Sequence, residues 1–394
     1  MTYSHADVAD LGLLTPVSAG TAGEMLTGDA AVVDAMVRTE SALLRALVDT
    51  GIAPPGALAA AEAMDRTRID VRRLACDAVA GGNPTIPLVR QLREAAGEHA
   101  DWVHHGATSQ DVVDTALMLV GAAVARQVEH DLARLAGALA ELADETRTVP
   151  AVARTLTQQA LPTTLGHRVA GWLAGVHDAV RAVRGCTTLP VSLGGPVGTA
   201  AGYGEHGPAV VDALAGRLGQ RAPVAPWHTR RTPVLELAHA LALAAEACAG
   251  IAADVLVMSQ TEVGEVREGT AGPSSAMAHK ANPAQSVLVA AAGRQVPGLV
   301  ATLIGSAAPE QERPAGAWHA EWQPLRSLLR CASGAVERTA DLVPALRLDH
   351  AAMQANLDTL LAALGKDRDW AGQQTAHVGT WIDRVLHQHT EVFS

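Results

Sequence analysis

Three stretches of this chain repeat apolar residues in alternating steps of four and three, a period that suits long packed helices and little else. From Val128 the positions run Leu132, Leu135, Leu139 and Leu142; a second set runs Val169, Leu173, Val176, Val180 and Val183; a third runs Leu237, Leu241, Ala245, Cys248, Ala252, Val255 and Met258. A fourth apolar stretch, Val287 to Ile304, contains Pro297-Gly298, which predicts a kink or break. Rods of this kind must cover their apolar faces, and a helical bundle does so. The composition agrees. Hydrophobic residues make up 48% but aromatics only 3%, so the apolar volume comes from Ala, Leu and Val, and alanine favours helix most. Strand signals are scarce, and the expected class is all-α. Three regions are expected: an N-terminal helical domain (1–104), the central bundle (105–347) and a short C-terminal helical domain (348–394).

Several function classes are excluded or disfavoured by charge and pattern. Lys and Arg number 30 against 41 Asp and Glu, a net charge of −11, and no basic run offers a nucleic-acid face. An anionic substrate must therefore be held by a few local cations. The start of the chain lacks the basic and apolar regions of a signal peptide. The greasiest stretch, Leu235 to Met258, contains Glu236, His239, Glu246 and Asp254, so it reads as a buried helix and not as a membrane span. Cys76, Cys186, Cys248 and Cys331 are widely spaced, which implies neither a zinc site nor a disulfide framework, and a cytoplasmic location is expected. His387 and His389 suit a solvated tail better than a metal site. Gly194-Gly195-Pro196-Val197-Gly198 reads as a turn, because it lacks both the GxGxxG spacing and a preceding strand.

The chemistry concentrates in the segment Thr270 to Pro283, which reads TAGPSSAMAHKANP. It is loop-like and joins two apolar rods. By composition alone it is a connector. Its spacing, however, resembles the G-S-S-x-M-P-x-K-x-N signature of the fumarase/aspartase superfamily, through Ser274, Ser275, Met277, Lys280 and Asn282. Two further segments resemble the family in the expected order: Trp102 to Leu117 (WVHHGATSQDVVDTAL) and Arg154 to Thr164 (RTLTQQALPTT). Within the superfamily, Leu13 to Val17, Asn83 to Val89, Pro226 to Arg231 and Trp318 to Trp322 resemble the bacterial 3-carboxy-cis,cis-muconate cycloisomerases.

That resemblance implies a cofactor-independent homotetramer whose active sites, each built from three subunits, take a small polycarboxylate. Proton exchange next to a carboxylate gives an aci-carboxylate dianion, which needs convergent donors. The resemblance places the acid/base serine at Ser274. It also implies that Thr108, Ser109, Thr157, Gln158, Lys280 and Asn282 hold substrate carboxylates, and Arg313 matches an arginine that contacts substrate in neighbouring branches. His104 aligns with a ligand-contacting histidine of adenylosuccinate lyase, and His228 and Arg231 are expected to line the site.

Leu156 stands where fumarases and several amine-eliminating members carry histidine. A basic leaving group needs an acid there. A carboxylate or nitrite leaves as a stable anion and does not. The expected activity is therefore lactone formation from 3-carboxy-cis,cis-muconate, as in protocatechuate breakdown. Release of fumarate from a substituted succinate, such as nitrosuccinate, is the open alternative. A non-catalytic relative, such as the superfamily's crystallins, is another. The signature departs from the family at Pro273, Ala278 and Ala281, the last of which replaces an arginine usual in cycloisomerases. After Leu357 the family's small helical third domain is expected to be shortened by an internal deletion.

Overall fold

A computed structural model describes residues 12–270, 272, 277 and 280–393. The N-terminal part contributes α1 (Ala22–Thr27), α2 (Asp29–Asp49), α3 (Leu58–Arg66), α4 (Val71–Gly81) and α5 (Thr85–Ala96). Then come α6 (Ser109–Glu145), a hairpin of β1 (Pro150–Thr155) and β2 (Gln158–Thr164), α7 (Leu165–Arg184), α8 (Gly207–Leu218) and α9 (Thr232–Met258). The two-residue strand β3 (Val266–Arg267), α10 (Ala284–Ser306), α11 (Ala317–Leu342) and β4 (Arg347–Leu348) lead into α12 (His350–Leu364), α13 (Arg368–Thr375) and α14 (Val378–Phe393). The fold is all-α, with the two short antiparallel pairs β1–β2 and β3–β4.

The predicted rods are α6, α7, α9 and α10, and α11 completes the bundle. α9 packs on α7, α10 and α11, while α6 packs on α7 and α11. Leu132, Leu135 and Leu139 of α6 and Leu237, Leu241, Cys248, Ala252 and Val255 of α9 have no exposed surface. At 37 residues, α6 is about 55 Å long. α10 approaches α9 closely at Gly293, where a Cβ would sit 2.5 Å from the Ala249 Cβ. Asp254, a charge within an apolar rod, accepts a 2.6 Å hydrogen bond from the Trp172 indole and ties α9 to α7.

Three expectations need revision. α10 runs through Pro297 without a break: the proline forfeits one ladder hydrogen bond, and packing against α9 and α11 carries the helix across. The β1–β2 hairpin was not foreseen, because its tip lacks the glycine or asparagine that marks such turns. His389 is not simply solvated, since its Nδ1 lies 3.2 Å from Nε2 of the fully buried His177.

The main apolar cluster takes in residues of both 1–104 and 105–347, and Ile382 of α14 joins it. Leu357, Leu360, Leu361 and Ala371 of α12 and α13 form a small second cluster with Val152 of the hairpin. The four cysteines are free thiols, and burial pushes that of Cys248 up to about 12, in keeping with a packing role. By length and composition α9 and α10 could each cross a membrane. Here they sit in the bundle, with Leu243, Val257, Val287 and Ile304 exposed.

Candidate active site

The N-terminus of α6 brings the segments of Thr108, the 194–196 turn, His228 and Arg313 together. Thr108 is its N-cap, and Asp111, three residues on, closes a capping box by accepting from the Thr108 amide at 2.9 Å. The same buried carboxylate accepts from the amides of Gly194 at 2.8 Å and Gly195 at 2.9 Å, and lies 2.6 Å from Nε2 of His228. One turn further along, the Thr115 hydroxyl donates to the Ser192 carbonyl at 3.0 Å and accepts from the Ser192 amide at 2.8 Å. A single face of α6 thus fixes the 192–195 segment.

Only glycine suits this turn. Gly195 has φ +71°, and a Cβ there would lie 2.8 Å from the Gly106 carbonyl oxygen; one on Gly194 would lie 2.9 Å from Pro226 Cβ. The turn reading holds, with a chemical reason. The two amides that could cradle a phosphate are already committed to an internal carboxylate. The next carbonyl, that of Pro196, accepts from Arg313 at 3.1 Å. Thr108, His228 and Arg313 are therefore joined in one connected set.

His104 sits four residues before Thr108 with φ +63°, a conformation rare outside glycine. Its Nδ1 is 2.6 Å from Oε1 of Glu40, which is buried in α2. Burial disfavours a charged imidazole, but the Glu40 carboxylate, helped by Asp111, outweighs this and holds His104 above the ordinary histidine range.

Arg231 is not available to a substrate. It is buried, and its Nη1 and Nη2 donate to Asp114 at 2.7 and 3.0 Å. Its Nε and Nη2 also donate to Glu321, at 3.0 and 2.7 Å. Trp318 and Gln110 donate to Asp114 as well. Every part of the guanidinium fork is engaged, so the geometry makes Arg231 a buried cross-link between α6 and α11.

Thr157 and Gln158 lie elsewhere, at the exposed tip of the hairpin. Leu156 and Thr157 are its two central residues, with φ of +51° and +70°, between the paired Thr155 and Gln158. This is the type I′ pattern, here built without glycine, and Leu156 is 96% exposed. A branched residue in this region is strained by about 1–3 kcal/mol. Replacing the pair with Asn-Gly is expected to stabilise the protein by about 1 kcal/mol or more, read as a higher denaturation midpoint. A lower midpoint would contradict the strain. The hairpin is anchored close behind its tip: Arg154 of β1 donates to the fully buried Glu265 at 2.8 Å, and Glu265 also accepts from Asn356 of α12 at 2.8 Å.

Ser274, with Ser275, lies outside the described residues. The neck of its segment is described. Gly272 and Asn282 exchange two backbone hydrogen bonds, 2.8 and 3.1 Å long. Glu268 accepts from the amides of Gln285 and Ser286 and from the Ser286 hydroxyl, capping α10. Lys280 is exposed and Asn282 half-buried at this neck; Thr108 and Ser109 are also half-buried.

Sequence reasoning did not single out Asp111, Glu40, Glu265 or Glu268. Only Asp111 had a local signal, the T-x-x-D spacing of a capping box. A cavity of about 440 Å³ lies between α7 and α14, lined in part by His167, Trp381 and Arg384, and contains none of the site residues.

The sequence pattern of the family described as "Lyase" matches residues 23–298. The chain belongs to the fumarase/aspartase superfamily. It is a lyase-superfamily enzyme by that membership. Among members of this superfamily, it is 43% identical over 370 residues to nitrosuccinate lyase of Streptomyces davaonensis, covering 90% of this chain and 78% of that protein. It is 38% identical over 356 residues to 3-carboxy-cis,cis-muconate cycloisomerase of Bradyrhizobium diazoefficiens, covering 88% and 79%. The crystal structure of 3-carboxy-cis,cis-muconate lactonizing enzyme from Pseudomonas putida superposes with a TM-score of 0.88 at 29% identity, covering 97% of this chain and 100% of that one.

Proposed function

We propose that this enzyme removes a weakly basic anion from a substituted succinate to give fumarate, with nitrosuccinate as the best candidate substrate. The observation that carries this reading is the cation inventory of the signature segment. Lys280 is followed by Ala281, where cycloisomerases usually add an arginine. One ammonium suits a dicarboxylate better than a tricarboxylate. The 43% identity to a nitrosuccinate lyase supports it. This reverses the order of the two activities expected from sequence.

In the proposed reaction Ser274 takes a proton from the carbon beside one carboxylate. The resulting aci-carboxylate is stabilised by donors from Thr108, Ser109, Thr157, Gln158, Lys280, Asn282 and Arg313. Its electron pair then forms the carbon–carbon double bond as the carbon–nitrogen bond breaks, and nitrite departs with the bonding pair. Leu156 supplies no proton, and none is required.

The site needs assembly. Thr157 and Gln158 stand on an exposed tip, and the exposed apolar residues of α9 and α10 offer surface for other copies of the chain, which supports composite sites in an oligomer, the homotetramer that the family resemblance implies. Lactone formation from 3-carboxy-cis,cis-muconate is the second reading, with which Leu156 is equally compatible and which the resemblance at Trp318 to Trp322 favours.

Incubation with each substrate separates them. Fumarate and nitrite are expected in equal amounts from nitrosuccinate, with muconate absorbance unchanged. Loss of muconate absorbance without turnover of nitrosuccinate would overturn the first reading in favour of the second.

A further inference from the structure

We propose that Asp111 is a positioning residue that sets the distance between the N-terminus of α6 and Arg313. The inference rests on the reading above, in which Thr108, Ser109 and Arg313 hold substrate carboxylates. The path is continuous. One oxygen of the Asp111 carboxylate accepts from the Thr108 amide and the Gly195 amide, both at 2.9 Å; the other accepts from the Gly194 amide at 2.8 Å and meets His228 at 2.6 Å. Pro196 follows immediately, and its carbonyl orients Arg313 at 3.1 Å.

The turn cannot easily be held another way. Gly195 needs its positive φ, and the Gly194 carbonyl accepts from the Ala200 amide at 2.7 Å, closing the loop on itself. Asp111 is 1% exposed, so its charge is satisfied wholly by these internal donors. Asparagine in its place would set an N–H₂ group against at least one backbone N–H donor whichever way its amide turns, that of Gly194 on one side or those of Thr108 and Gly195 on the other. Thr108 and the turn would then separate, and Arg313 would move with the Pro196 carbonyl. Asp114, three residues on, serves the distinct Arg231 cross-link, so the two aspartates divide positioning from stability.

A double-mutant cycle on the full-length protein, read by calorimetric binding of fumarate, tests this. Asp111→Asn and Arg313→Ala are each expected to weaken binding about tenfold, which at one guanidinium–carboxylate contact is about 1.4 kcal/mol. The double variant is expected to bind no more weakly than the worse single one. Combined with Lys280→Ala, which sits on the other segment, Asp111→Asn is expected to multiply. Multiplicative losses with Arg313→Ala, equal sub-additivity with Lys280→Ala, or wild-type binding by Asp111→Asn would each overturn the inference. If Asp111→Asn does not fold, Gly195→Ala replaces it in the same cycle, since it displaces the turn and leaves the carboxylate in place; additivity there overturns the inference equally. Wild-type protein that binds neither fumarate nor succinate refutes the functional reading and this inference with it. Binding with an additive cycle refutes the inference alone.

Discussion

Ser274→Ala is expected to lower kcat for fumarate formation by about three orders of magnitude while leaving KM within a few-fold of wild type. Proton transfer by a positioned side chain contributes about 10²–10⁴ in rate, and the methyl group of alanine can neither accept nor return a proton. Substrate carboxylates are assigned to other groups, so the binding term should survive. The flanking structure gives the change a clean background. The neck at Gly272 and Asn282 is held by backbone hydrogen bonds, and Glu268 caps α10. Steady-state kinetics on folded protein decide it. A kcat near that of wild type would remove Ser274 from the chemistry, and a rise in KM with kcat intact would make it a binding group only. Steady turnover that the substitution abolishes would also dispose of the non-catalytic alternative.

The second large effect concerns stability. Arg231→Met is expected to destabilise the fold by about 3–5 kcal/mol, because it strands the carboxylates of Asp114 and Glu321 in the interior. Burial alone disfavours the guanidinium charge, but the Asp114 and Glu321 carboxylates raise its pKa and keep it firmly protonated. Trp227 adds a ring face 4.9 Å from the guanidinium carbon. Arg326→Ala serves as the reference. It breaks a 2.7 Å pair with Asp29 whose acidic partner is 61% exposed, and a pair of that kind contributes at most about 1 kcal/mol. Chemical denaturation of the two variants should separate them clearly. Equal midpoints would mean that the Arg231 cluster contributes no more than a surface pair.

The bundle was legible because burial follows a simple period: the residues named at four-and-three spacing in α6, α7 and α9 are buried, except the half-buried Leu142. The hairpin was not, because a type I′ turn is usually announced by Asn-Gly, and Leu156-Thr157 adopts it under strain. Pro297 misled for the opposite reason, since tertiary packing overrode a strong local signal. Among the site residues, the α6 N-cap could be read from Thr108 and the residues after it. The role of Arg231 could not. Its partners lie 117 and 90 positions away, at Asp114 and Glu321, and nothing local distinguishes an arginine facing substrate from one spent on two internal carboxylates. The same distance hid Glu40, whose contact with His104 spans 64 positions.

The junction at Glu265 has a consequence for the tail of the molecule. This one side chain grips Arg154 of the hairpin and Asn356 of α12, and its own carbonyl receives the Asp349 amide. The final helices are thus moored to the strand that carries Thr157 outward. Loosening them would let that finger sway, so trimming the far end of the chain would be felt at its reaching tip.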